Sequence, residues 1–265
     1  MKRDRSLAAA QTIPRRGDVE ANLAEHLRLV RVAAEEGAVL LVFPELSLTG
    51  YELDLAEKLA FTPRDPRLEP LAEAAAAFAL TLVVGAPARV DGRLHLGAFI
   101  FAPNGGVGLY TKHHLGAFPA SANPGGLVPP AEASVFVPGT LNPPVALGDH
   151  QAAVAICADT GRASHPQQAA DRGADTYLAS MFVIPADLAS DVRNLGTYAV
   201  RHAMAVVLAN FGGPTAGLPS AGSSAIWSPA GEVVAQLGPE GVGVVVAHES
   251  GAGWRAKAIP LSTTG

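Results

Sequence analysis

Gln151-Ala-Ala-Val-Ala-Ile-Cys157-Ala-Asp159-Thr-Gly161 is an apolar run with β-branched residues that stops at a cysteine and passes through a short polar stretch toward a helix-like segment. That order reads as strand, sharp turn, helix. A side chain at the C-terminal end of a buried strand, beside the free N–H groups of a helix start, stands where α/β proteins place their chemistry. A thiol there can be a nucleophile with an oxyanion site next to it. Free cysteine is also a common core filler, so the rest of the chain has to decide.

Working outward, the same pattern recurs. Residues 38–43 form a second run, apolar on both faces as an interior strand would be, and it ends in Pro44-Glu45. Residues 7–12 and 81–86 are further strands. Between them lie a helix with Asp18 as N-cap and Gly37 as its stop, and an alanine-rich helix over 66–80. Asp91-Gly92 and Asn104-Gly105 mark two hairpins, which makes Gly105-Gly-Val-Gly108 a turn and not a phosphate loop, since no helix follows it. The second hairpin runs into Tyr110-Thr-Lys112-His113-His114, then a Gly/Pro-rich loop over 116–130 leads to Glu132-Ala-Ser-Val-Phe136-Val-Pro138-Gly139.

Beyond the cysteine, helices are expected over 166–173 and 188–205, and strands over 175–182, 206–210, 224–227, 233–237 and 242–247. Residues 249–265 have little pattern and read as a C-terminal tail or dimer arm. Strands alternate with helices, yet several connections are tight hairpins, so the sheets must be mixed. No linker or composition break divides the chain, so residues 1–265 are expected to form one domain.

Composition narrows the function. Of 265 residues 49% are hydrophobic and 16% charged, no apolar run is long enough to span a bilayer, and the basic N-terminus lacks a signal peptide's apolar length. A cytoplasmic location with no membrane partner is the expectation. A single cysteine excludes an internal disulfide, and a net charge of −5 with no long basic run argues against a nucleic-acid partner. Lysine occurs only at positions 2, 58, 112 and 257, so a lysine at an interior strand end stands out.

Glu45, Lys112 and Cys157 thus stand at strand ends in the contexts Phe-Pro-Glu-Leu-Ser-Leu-Thr-Gly-Tyr, Tyr-Thr-Lys-His-His-Leu and Val-Ala-Ile-Cys-Ala-Asp. With Gly17-Asp18 and Asn22, Phe136-Val-Pro138-Gly139, Arg172-Gly173-Ala174-Asp175, Ala209-Asn210 and Ser228-Pro-Ala-Gly231, this ordered set resembles the nitrilase, or carbon–nitrogen hydrolase, superfamily over nearly the whole chain. The resemblance implies an α/β four-layer αββα sandwich with two mixed sheets, commonly a homodimer. It also implies a Glu45-Lys112-Cys157 triad with Glu132 as an additional active-site glutamate. In that reading Cys157 attacks, Glu45 shuttles the proton, and Lys112 with the N–H groups of Ala158 and Asp159 holds the oxyanion. Tyr51, the 117–130 loop and Ser180-Met181-Phe182 become the expected pocket walls. Two departures lie beside the nucleophile. Ala158 stands where many relatives have an aromatic residue, and Thr160-Gly-Arg-Ala-Ser-His165-Pro166 replaces a common Arg-Phe-Pro-Glu version.

The resulting expectation is a hydrolase that cleaves the C–N bond of a small linear amide or N-carbamoyl compound through a cysteine thioester, with no cofactor. The motifs fit a nitrile substrate equally. Other classes are a serine amidase built on Gly222-Ser223-Ser224, which lacks that signature's lysine, and a non-catalytic dimeric binding protein that keeps the fold. His113 and His114 invite a metal, but adjacent strand residues point to opposite faces, so no metal is expected. Asp159 and Arg162 are placed to pair across the turn.

Overall fold

The computed structural model describes residues 4–262. The first three and last three residues, on which parts of the N-terminal charge reading and of the expected tail fall, lie outside the described residues. In chain order β1 (Arg5–Gln11) leads to α1 (Val19–Glu35), β2 (Leu40–Val42), the single turn α2 (Ala56–Leu59) and α3 (Glu69–Ala77), then the meander β3 (Thr81–Val90), β4 (Arg93–Phe101) and β5 (Val107–Thr111). The second half has the hairpin β6 (Val145–Leu147) and β7 (His150–Ile156), then α4 (Ser164–Asp171), β8 (Thr176–Ser180), α5 (Leu188–His202) and β9 (Ala205–Ala209). Two hairpins close it, β10 (Ala225–Trp227) with β11 (Val233–Gln236), and β12 (Val242–Ser250) with β13 (Gly253–Leu261).

Two mixed sheets result, in the orders β13-β12-β1-β2-β3-β4-β5 and β11-β10-β9-β8-β7-β6. Each is built around a parallel trio, β1-β2-β3 in one and β7-β8-β9 in the other, flanked by antiparallel strands. The period-2 alternation of side chains assigns the layers. Leu7, Ala9, Leu40, Val42 and Val83 pack against Ala152, Val154, Leu178 and Val207 between the sheets. Their neighbours Ala8, Leu41 and Val84 face outward onto Leu29, Val30 and Leu71 of α1 and α3. Ala155, Tyr177 and Val206 face Leu195, Tyr198 and Ala199 of α5. The architecture is the four-layer αββα sandwich expected from the sequence. Among the described residues no helix is long and apolar enough to cross a membrane.

The chief difference from expectation is at the C-terminal end, where residues 253–261 form β13, registered on β12 from Val242↔Leu261 to Ser250↔Gly253. An edge strand that is exposed along most of its length, with Arg255, Lys257 and Pro260, carries the charges and the proline that blunt sheet edges. Those features erased the alternation that identifies a half-buried strand.

The topology brings three chain exits to one end of the sandwich. β2 and β5 run in the same direction, related through parallel β3 and antiparallel β4, so Glu45 and Lys112 leave the same edge of the first sheet. Gly85 of β3 lets the chain around Glu45 pass close. A Cβ there would stand 2.4 Å from both the Leu46 N and the Pro44 carbonyl oxygen. Gly85→Ala should therefore cost about 1–3 kcal/mol as overpacking, read by thermal or urea unfolding. Gly108→Ala, whose Cβ would meet only ordinary contacts from 3.5 Å, is the control, and equal stability of the two variants would refute the close pass.

Candidate active site

Lys112 is the first residue past β5 and is wholly buried. Its backbone is pinned on both sides, the N–H donating to the Leu96 carbonyl at 2.8 Å and the carbonyl accepting from Gly139 N–H at 2.8 Å. The Phe-Val-Pro-Gly stretch explains the second bond, since a Cβ on Gly139 would lie 2.1 Å from Thr111 Oγ1. The Lys112 Nζ donates to Glu45 Oε1 at 2.6 Å and to Glu132 Oε1 at 2.7 Å. Its third N–H has no partner among the described residues.

The two carboxylates are held differently. Glu132, on a single 3-10 turn, also accepts the Tyr51 hydroxyl at 2.6 Å on Oε1 and the Gly116 N–H at 2.7 Å on Oε2. Every one of its oxygens is engaged. Glu45 is equally buried, but its Oε2 has no hydrogen-bond partner among the described residues. Of the pair, Glu45 is the one free to take a proton.

Cys157 follows β7 immediately and sits at φ +41°, a left-handed conformation that is rare for a side-chain-bearing residue and gathers at functional sites. Leu46, next to Glu45, is likewise at φ +53°. The Cys157 carbonyl accepts from the Thr160 N–H and hydroxyl, each at 2.8 Å. Its thiol lies 3.8 Å from the Phe182 carbonyl oxygen, at the tip of β8. The N–H of Ala158 lies early in the 3-10 turn, where helical geometry supplies no acceptor, whereas Asp159 is third in the turn, its N–H is directed back to the Ile156 carbonyl, and it does not line the cavity that opens onto Cys157.

Electrostatics follow from burial. Desolvation pushes the Glu45 carboxyl up to about 7, against the pull of the Lys112 ammonium, with Glu132 adding repulsion. Burial alone would lower the Lys112 ammonium, but Glu45, Cys157 and Glu132 outweigh it and raise it. The Cys157 thiol is pushed well up by burial and by Glu45, with Lys112 acting in the opposite direction. Cys157 therefore rests as a thiol within the field of all three groups.

A cavity of about 240 Å³ opens onto this cluster, lined by Cys157, Ala158, Glu132, Tyr51, Met181 and Phe182. Of the 117–130 loop, residues 117–119 reach it. Sequence reasoning missed Asp187 and Asp191, which stand one helical turn apart at its mouth. Their signal was present as two acids spaced by four at the start of the helix after the 180–182 tip. Burial, with Asp187 adding to it, pushes the Asp191 carboxyl up to about 6, and among the described residues no lysine or arginine lines the cavity, Lys112 and Glu45 standing behind Glu132 and Cys157 in its wall. A larger cleft of about 540 Å³ beside α1 holds no nucleophile.

Several expectations are corrected. The side chain of Asp159 is turned away from the cavity into the protein, and Ser180 donates to the Phe43 carbonyl at 2.8 Å, tying the second sheet to the chain leading into Glu45. Asp159 bonds Tyr110 and His114 and not the Arg162 side chain. His113 and His114 lie past the end of β5, where strand alternation no longer applies, and both rings approach His165. Among the described residues no group of three or more His, Cys, Asp or Glu is placed to hold a metal. Ser223 does not line the cavity, and its hydroxyl donates to the Ala221 carbonyl at 2.9 Å.

Known proteins are similar to this chain in sequence and in structure. The profile of the family described as Carbon-nitrogen hydrolase matches residues 6–256. An amidase from Nesterenkonia sp. AN1 is similar in structure, with a TM-score of 0.78 and 27% identity over 91% of each chain. Other structures of that amidase carry acrylamide added at its active-site cysteine, or hold butyramide in a variant with alanine for cysteine. A nitrilase of Pyrococcus abyssi is 28% identical over 235 residues, 86% of this chain and 83% of that protein. A glutamine-dependent NAD(+) synthetase of Mycobacterium tuberculosis is 35% identical over 102 residues, 37% of this chain and 15% of that protein. The chain spans well under half the length of the synthetase relatives it matches.

The raised Glu45 carboxyl has a consequence for stability. Between the ordinary value of 4.5 and about 7 the folded protein holds a proton that the unfolded chain has lost. Stability from this group is therefore full below 4.5 and is lost as pH rises toward 7. Denaturant unfolding from pH 4.5 to 7.5 should show that decline in wild type and a flatter profile in Glu45→Gln. Parallel profiles would refute the buried, proton-holding carboxyl.

Proposed function

The chain belongs to the carbon–nitrogen hydrolase family, and from that premise we propose that it hydrolyses a small linear amide or N-carbamoyl compound through a thioester on Cys157. The observation that carries this reading is the fully buried Lys112 ammonium, bonded to Glu45 and Glu132 behind the cavity that exposes Cys157. The similar Nesterenkonia amidase, with its active-site cysteine, supports the amide over other substrates.

The geometry gives each group a task. Cys157 attacks the carbonyl carbon while its proton passes to the unpartnered Oε2 of Glu45. The oxyanion is met by the free third N–H of Lys112 and by the N–H of Ala158, each such donor being worth about 3–4 kcal/mol in the transition state. Glu45 returns the proton to the leaving nitrogen, and ammonia or an amine departs from the thioester. Water then attacks with Glu45 again as base. Collapse expels the sulfur, which recovers the proton, and the acid is released. A carboxyl poised near 7 suits both directions of transfer. Glu132, with both oxygens engaged, orients Lys112.

Nitrile hydrolysis is the second reading, favoured by the similarity to the Pyrococcus nitrilase over most of both chains. Ammonia release from aliphatic amides, N-carbamoyl compounds and nitriles separates the two. Cys157→Ala should abolish turnover. Glu45→Gln should lower kcat by about 10²–10⁴-fold and remove a rise in kcat/KM as pH passes through about 7. Retention of activity in Cys157→Ala, or no turnover of the whole panel by wild type, would overturn the proposal.

The proposal includes a homodimer. It is supported by the exposed face of α5, where Val200 is 59% exposed between Thr197 and Arg201. Light scattering should give twice the chain mass, and Val200→Asp should shift it toward one.

A further inference from the structure

Asp159 is completely buried two residues beyond Cys157, and its carboxylate gathers hydrogen bonds from both halves of the site. Oδ2 accepts the N–H of Ile156, the residue before the cysteine, at 3.1 Å. Oδ1 accepts the N–H of His113 at 3.2 Å and of His114 at 2.8 Å, the two residues after Lys112. One carboxylate thus joins the backbone entering the nucleophile turn to the backbone leaving the lysine, two segments from different sheets.

The carboxylate is itself held from behind. Tyr110, two residues before Lys112, reaches Asp159 Oδ2 at 2.7 Å and His165 Nε2 at 2.9 Å, and His165 Nδ1 meets the Tyr177 hydroxyl at 2.9 Å. A carboxylate only accepts, so the single Tyr110 proton goes to Asp159. The Tyr110 oxygen then accepts from the Nε2–H of His165, and Nδ1 accepts from Tyr177. One neutral tautomer satisfies every bond, and burial, which lowers His165 to about 4, keeps it neutral. His114 Nδ1, 3.0 Å from Oδ1, adds a partner at the edge of the network.

We propose that Asp159, fixed by the relay Tyr177–His165–Tyr110, is a positioning residue that locks the cysteine turn onto the end of the lysine strand and so sets where the thiol stands relative to the ammonium. It touches no substrate. Its effect falls on the placement of reacting groups, where an error of about 1 Å costs on the order of 10²-fold. The inference rests on the hydrolase reading for its consequence in turnover and on geometry alone for its consequence at the thiol.

The test uses butyramide as probe substrate, with ammonia release as the readout, and iodoacetamide alkylation of Cys157, the only thiol in the chain. Asp159→Asn puts an amide donor among donors or loses an acceptor. It should lower kcat by about 10–100-fold with KM changed by less than about 2-fold, and slow alkylation in parallel. Tyr110→Phe should act in the same direction. His165→Gln, which can still donate and accept, should retain more activity than His165→Leu. Unchanged kcat and alkylation rate in Asp159→Asn and Tyr110→Phe, whether or not their Tm falls, would overturn the proposal, as would a change in KM alone. If Asp159→Asn fails to fold, Tyr110→Phe decides. If wild type leaves butyramide intact, that failure belongs to the hydrolase reading, and the order of alkylation rates decides the relay.

Discussion

A lysine ammonium with no exposure to water is the constraint around which this end of the sandwich is built. Burying an isolated charge is prohibitive, and a buried pair holds only when geometry and further hydrogen bonds are good. Lys112 meets that condition with two carboxylates at 2.6 and 2.7 Å. Each carboxylate must in turn be brought in by its own piece of chain. Glu45 comes over Gly85, and Glu132 is fixed by Tyr51 and Gly116. The asymmetry between a saturated glutamate and one with an idle oxygen then separates a supporting group from a reactive one without reference to any substrate.

The regular strands of both trios are conventional, and of the several non-glycine residues with left-handed φ values, Leu46 and Cys157 stand where the chain turns out of β2 and β7. At Cys157 the turn directs the side chain to the cavity while the backbone enters a 3-10 turn with its first N–H groups free. The turn is bound by its carbonyl to Thr160 and by Asp159 to the lysine strand. Local strain at these points is tolerated because the surrounding bonds over-determine the conformation.

Much of this was legible in the residues. The two-sided apolar runs ending at Glu45 and Cys157, the Asp91-Gly92 and Asn104-Gly105 turns, and the isolated interior lysine announced parallel strands with hairpin flanks and a cluster at their exits. What was not legible depends on direction more than on position. Ser180 and Asp159 lie where the sequence put them, yet the first is consumed by the Phe43 carbonyl and the second by Tyr110 and three backbone N–H groups. A short polar side chain at a strand tip can face a cavity or bind backbone, and only its neighbours in space decide. His165 is legible in neither respect, because Tyr110 and Tyr177 come from two different sheets. The exposed edge β13 carries no alternation to read.

The register of β1 has a consequence for biosynthesis. β1 sits between β2, which follows it closely, and β12, to which it is tied by Arg5 and Glu249, 244 residues apart. A chain emerging from the ribosome N-terminus first therefore holds an open edge at β1 until β12 has been made. Pairings of this span are slow to close. Cys157 precedes β12 and β13 in the chain, so the sheet that bears Glu45 and Lys112 receives those two strands only after the nucleophile strand has been made.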